Sequence, residues 1–87
     1  PITVDESRVT ILAWNVEGLQ SAVSLGAEEL FQRHDVVVLT ETFAIKEVNL
    51  RGFDCFSRPA APPAMRARPT GGVIIAVEPE MSPKLLV

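Results

Sequence analysis

Hydrophobic residues fall on both parities of the stretch RVTILAWNV at 8–16, with Val9, Ile11 and Ala13 on one side and Leu12, Trp14 and Val16 on the other. A strand of that kind is expected to be buried on both faces. Gly18 ends it. Apolar residues then recur at Val23, Ala27, Leu30 and Phe31, spacings of four, three and one, with Glu28, Glu29, Gln32 and Arg33 on the opposite side. This spacing predicts one main helix over 20–33. Gly26 lies inside it, at a cost of about 1 kcal/mol relative to Ala, although a small residue on the stripe also allows close approach to a sheet. After Asp35 the β-branched run VVVLTET predicts a second strand. Strand, helix and strand make a βαβ unit, whose two strands run parallel. Asn15 and Glu41 should therefore emerge at the same carboxyl edge, where open α/β sheets bind ligands.

Beyond this unit, residues 44–52 read as a loop and FDCFS at 53–57 as a short or edge strand. The segment RPAAPPAMRARP holds four prolines and three arginines, which predicts a proline/arginine-rich loop over about 58–70. Thr70, Gly71 and Gly72 suggest a turn, VIIAV at 73–77 another buried strand, and Pro79 and Pro83 a turn before KLLV. The pattern as a whole is an α/β chain with further strands in one mixed sheet.

Eighty-seven residues suffice for one small domain, which buries only about 60% of its unfolded surface. A hydrophobic content of 47% is more than such a domain needs for its own core. The excess points to a surface meant for a partner. The start at Pro1 and the close on Lys84, Leu85, Leu86 and Val87, which resembles a strand just beginning, lead us to expect a fragment of a longer domain. The single cysteine, Cys55, argues against a disulfide scaffold. No apolar run approaches the roughly 20 residues that span a bilayer, so the expectation is an intracellular protein, nuclear or cytoplasmic, with no membrane partner. A net charge of -3 excludes a global basic field for nucleic acid. The charge is uneven, however, with seven acids against two bases in 1–43 and six bases against four acids in 44–87.

Asn15 and Glu41 supply an amide oxygen and a carboxylate, hard donors of the kind Mg²⁺ or Mn²⁺ takes while keeping several waters. Glu17 is a candidate third donor, direct or through water. A bland alternative makes Asn15 and Glu17 a turn and Glu41 a solvated loop residue. Arg51, Arg58, Arg66 and Arg68 are candidate phosphate contacts, or else the charges of a solvated loop. His34 is placed to favour the negative end of a helix dipole, Trp14 to sit in the core, and Cys55, with no CxxC and no nearby His, to be inert.

Three stretches taken together, WNVEGL at 14–19, DVVVLTETF at 35–43 and GGVIIAV at 71–77, resemble in order and spacing the opening motifs of the endonuclease/exonuclease/phosphatase superfamily. That superfamily includes apurinic endonucleases, DNase I-like nucleases, inositol phosphatases and the endonuclease domains of non-LTR retrotransposons. The Leu-Thr-Glu-Thr form of the second motif and the Gly-Gly start of the third are most similar to the retrotransposon branch. The resemblance covers about residues 8–80. It implies the N-terminal half of a DNase I-like four-layered α/β sandwich and a Mg-dependent endonuclease that nicks DNA. It makes Glu41 the direct metal ligand and Asn15 its neighbour in the metal site. Glu17 falls where an acidic residue lies near the metal in apurinic endonucleases. Arg58, Arg66 and Arg68 would face DNA, and Phe43 takes a position often held by a basic or aromatic residue.

The departures are equally informative. The family's later motifs, an Asp-x-Asn pair and a terminal Ser-Asp-His that orient the attacking water and stabilise the phosphate, are absent from these 87 residues. A metal ligand without that company should not turn over, because positioning and electrostatics act as a unit. Two alternatives follow. One is a non-catalytic half-domain acting as an interaction or homo-oligomerisation module, its sheet covered by the missing half or by a second copy. The other is a phosphatase of the same superfamily.

Overall fold

The doubly apolar runs become neighbouring strands of a single sheet. The computed structural model describes residues 2–6, 9–61 and 70–80, with the side chains of 4–6 outside that description. The elements are β1 (Ile2–Glu6), β2 (Val9–Asn15), α1 (Leu19–Ser24), α2 (Ala27–Phe31), β3 (Val36–Thr40), β4 (Asp54–Arg58) and β5 (Val73–Val77). The five strands lie in the order β1-β2-β3-β5-β4. β2 and β3 pair in parallel, with Asn15 opposite Thr40, while the other pairs are antiparallel. The chain is thus a small mixed α/β domain, and the βαβ unit is present.

Cross-strand register sorts the side chains onto two faces. Leu12, Val37 and Ala76 form one row and Trp14, Leu39 and Ile74 another. These rows face the helices, and Leu12, Val37, Leu39, Ile74 and Ala76 are buried with Leu19, Ala22, Ala27 and Phe31. The opposite face carries the row Ile2, Ala13, Val38, Ile75 and Phe56. Burial on both faces, expected for the strand at 8–16, therefore needs correction, and the same holds for its neighbour β3. Val36 is buried on this second face, but Ile11, Ala13 and Val38 are only partly covered. Ile2, Phe56, Val73 and Ile75 are exposed there by 67, 51, 37 and 39%. Among the described residues only one face carries a helix layer.

The single helix expected over 20–33 is two short ones. Leu25 donates to the Ser21 and Ala22 carbonyls and Gly26 to that of Val23, closing α1. Gly26 then turns left-handed at φ 92 and begins α2. A glycine adopts that conformation without a Cβ penalty. The reversal lets Leu19 and Ala22 from one helix and Ala27 and Phe31 from the other reach the same sheet. A Cβ added at Gly26 would meet nothing within 4 Å, so only the backbone opposes substitution. Gly26→Ala is expected to destabilise by about 1 kcal/mol. Urea unfolding should show a lower midpoint at unchanged slope.

Other differences are smaller. β1 was not expected, and it pairs with β2 from Ile2 opposite Ala13 to Glu6 opposite Val9. β4 runs one residue later than the 53–57 reading, so Arg58 is strand rather than loop. The expected loop is further shortened by a bridge between Ala61 and Thr70; its residues 62–69, like KLLV, lie outside the described residues. Within the 44–52 loop, Leu50 is buried and Val48 packs on the core. The Leu50 backbone N–H points at Cys55 Sγ at 3.1 Å.

Candidate metal and phosphate site at the carboxyl edge

Parallel pairing of β2 and β3 continues past the strands themselves. Val16 N–H donates to Thr40 O at 3.0 Å, Gly18 N–H to Glu41 O at 2.8 Å and Leu19 N–H to Thr42 O at 2.9 Å. On the other side of the same segment, Thr42 N–H donates to Gly72 O at 3.2 Å and Phe43 N–H to Gly71 O at 3.0 Å. The three stretches 14–19, 35–43 and 71–77 are therefore sewn together at one sheet edge, with residues 41–43 in the middle. Gly71 and Gly72, expected as a turn, instead run alongside that middle segment with φ 81 and 93.

Glu41 is held from two directions. Its backbone carbonyl accepts from Gly18, and its Oε2 accepts the Gly71 N–H at 3.3 Å. It is half-buried, and among the described residues no cation lies within ion-pair distance of it. Asn15 is exposed at the end of β2 and Glu17 is exposed two residues on. Asn15, Thr40, Val73 and Arg58 form one cross-strand row. Arg58 thus shares the edge and the face of Asn15, about 14 Å away at roughly 4.8 Å per strand.

Backbone strain gathers at the same edge. Among the described residues only Glu17, Glu41 and Phe43 are non-glycine residues with positive φ, at 47, 53 and 60. Each costs of order 1 kcal/mol, and residues of this kind collect where side chains must be aimed. Phe43 packs its ring toward Gly18, where an added Cβ would meet it at 3.5 Å. Together with Ser21, Thr42 and Val48 these two residues line an open cleft of about 690 Å³ beside the site.

Several other residues are kept apart from it. Arg51 sits at the opposite end of β4, where its carbonyl accepts from Gln32 Nε2 at 2.7 Å, so it does not join Arg58. Arg66 and Arg68 lie outside the described residues. His34 precedes β3 whereas Glu41 follows it. Its Nδ1 lies 2.9 Å from Leu30 O at the end of α2 and its Nε2 3.3 Å from Thr3 Oγ1. Trp14 is partly buried and meets Phe31 edge-on. Thr42 had no assigned role in the sequence, yet it is buried, with its backbone bonded to the first stretch at Leu19 and to the third at Gly72. A lone Thr within a polar strand end carries no signal that would distinguish it from its exposed neighbour Thr40.

Among the described residues no group of three or more His, Cys, Asp or Glu side chains is arranged to hold a metal. The candidate donors at this edge are the Glu41 carboxylate, held by the Gly71 N–H, and the exposed Asn15 amide and Glu17 carboxylate. Those are hard oxygens, the donor type that Mg²⁺ and Mn²⁺ take. No helix of the described residues is long and apolar enough to cross a membrane. No protein-family model matches the chain, and comparison with curated proteins finds no match.

Proposed function

We propose that this chain is the metal-holding half of a Mg²⁺- or Mn²⁺-dependent endonuclease that hydrolyses DNA phosphodiester bonds, of the retrotransposon nicking type, and that it forms the N-terminal half of a four-layered DNase I-like sandwich. The observation that carries this is Glu41. A carboxylate in a left-handed backbone conformation, bonded to Gly71 N–H and flanked by the strand end of Asn15, is constrained in a way that a solvated loop residue has no need to be. Glu41 and Asn15 would hold the ion, with Glu17 acting directly or through water. The ion, when bound, would polarise a phosphoryl oxygen and stabilise developing charge. Arg58, with Arg66 and Arg68 from the same basic segment, would neutralise flanking phosphates. The 87 residues alone are not expected to nick DNA, since the groups that orient water and clamp the phosphate are absent from them.

Metal binding can be tested on the chain as it is. Mn²⁺ added in small amounts should broaden the amide resonances of 15–18, 41–43 and 71–72 before others. Glu41→Gln keeps an oxygen for Gly71 but removes the charge. It should weaken Mn²⁺ binding about tenfold or more, since charge on the ligands sets affinity for hard cations, at nearly unchanged stability. Broadening at these amides that is identical in the two proteins would overturn the assignment.

A second function, that of an interaction or oligomerisation module, is supported by a separate observation. The exposed side chains of Ile2, Phe56, Val73 and Ile75 share the face that lacks a helix layer. Apolar surface concentrated on one face marks a contact site more often than scattered apolar residues do.

A further inference from the structure

β4 pairs with β5 on one side and, among the described residues, is the outermost strand of the sheet on the other. The direction of its free hydrogen-bonding groups follows from register. Ala61 N–H donates to Thr70 O at 2.9 Å, and this bridge continues the pairing in which Asp54 faces Val77 and Arg58 faces Val73. In an antiparallel ladder, residues bonded to the partner alternate with residues whose groups point away. The odd-numbered positions of β4 therefore bond to β5. The N–H and C=O groups of Asp54, Phe56 and Arg58 point outward. Ala60, the next even position, obeys the rule, since its N–H leaves the ladder to reach Ala44 O at 2.7 Å. Among the described residues no backbone partner meets the outward groups of Asp54, Phe56 or Arg58.

The side chains of the same three residues lie on the open face and are exposed. Along the strand they read acidic, aromatic, basic. We infer that two copies of this chain pair through β4, antiparallel about a two-fold axis at Phe56. In that register Asp54 of each copy stands opposite Arg58 of the other, and the two Phe56 rings meet on the open face. Each of the three outward positions becomes a hydrogen-bonded pair, giving roughly six backbone hydrogen bonds, two per pair.

The charge pattern selects this occupant. A parallel copy in register would set Asp54 against Asp54 and Arg58 against Arg58. A slip of two residues would leave both charges facing an aromatic or nothing. Only the antiparallel arrangement centred on Phe56 satisfies every position, and an isologous two-fold contact requires that self-complementarity. Edge strands are usually protected by charges that repel another edge; opposite charges at either end of one aromatic attract a second copy. Ile75 and Val73 extend the apolar surface inward from Phe56, lining with it a shallow cleft of about 470 Å³ along the edge.

This inference rests on the interaction-module function and is independent of the metal site. Pairing engages Arg58, which would then compete with phosphate for that side chain. Asp54 lies at the far end of β4 from the Asn15 row, so its substitution tests pairing alone.

Sedimentation equilibrium across micromolar concentrations should reveal a concentration-dependent dimer. Asp54→Arg or Arg58→Asp alone is expected to raise Kd about tenfold or more, because each places two like-charge pairs in the seam. The double exchange D54R/R58D should restore Kd to within about threefold. Phe56→Pro removes an outward N–H that β5 does not use, a position where an edge strand tolerates proline. It should be monomeric with an unchanged far-UV circular dichroism spectrum. A dimer whose Kd ignores both charge reversals would overturn the β4 register while leaving the interaction function in place. A monomer throughout the range would overturn the β4 pairing and, with it, the homo-oligomerisation form of the interaction function.

Discussion

Phe31→Ala is expected to destabilise the chain by about 3–5 kcal/mol. Phe31 is among the largest fully buried side chains. It ends α2, and with Ala27 it is one of the two buried residues that attach this helix to the sheet. Its ring meets Trp14 edge-on, with centroids 6.4 Å apart and planes at 65°. Such pairs contribute about 0.5–1.5 kcal/mol beyond the area they bury. A chain of 87 residues has a total stability of only about 4–13 kcal/mol, so one substitution of this size takes a large share. Trp14 is the only tryptophan, and its fluorescence during urea titration reports on the affected contact. Phe31→Leu, which keeps most of the volume, should lose less than about half as much. If Phe31→Ala shifted stability by under about 1 kcal/mol, α2 could not be docked on β2 as described.

The second large effect is expected at Gly72, where Gly72→Ala should cost about 2–4 kcal/mol. Two causes add. The residue has φ 93, a conformation that a residue with a Cβ adopts only under strain. The added Cβ would also collide with Thr42 Oγ1 and come within 3.3 Å of Ala60 N. Thr42 has little room to yield. It is buried, its N–H donates to Gly72 O, and its carbonyl accepts from Leu19. Thr42→Ala in the same chain removes the oxygen but not the backbone strain. The double variant should therefore recover about 1 kcal/mol or more relative to simple addition of the two losses. Gly72 adjoins the Gly71 N–H that holds Glu41, so Gly72→Ala should also weaken Mn²⁺ broadening at 41–43. Full additivity in the double variant would mean that the Cβ is accommodated in another direction.

Much of the architecture could be read along the chain, and the reasons differ by element. VIIAV at 73–77 coincides with β5, and VVVLTET contains β3, which stops at Thr40, because β-branched runs bounded by glycine or polar residues have few other stable conformations. The parallel relation of β2 and β3 followed from an intervening helical stripe. That in turn placed Asn15 and Glu41 at one edge. β1 was less legible, because five residues with one clear alternation become a strand only when a neighbour offers its free edge. The division at Gly26 was signalled only as a cost within a helix. Whether a glycine continues right-handed or turns left-handed depends on how the two apolar segments must meet the sheet. Local pattern cannot set that.

Residue type and short-range periodicity account for the strand at 73–77, the core of the strand that begins at Val36, their apolar character, a helical connection and the shared edge of Asn15 and Glu41. Tertiary structure alone decided that Glu17, Glu41 and Phe43 adopt positive φ, that Glu41 Oε2 meets Gly71 N–H, and that Asp54, Phe56 and Arg58 turn their free backbone groups outward. Glu and Phe have no intrinsic preference for the left-handed region. They adopt it where segment 41–43 is hydrogen-bonded to 18–19 on one side and to 71–72 on the other. A contact between residues 41 and 71 depends on strand register, and register is chosen by the packing of whole faces rather than by any local preference.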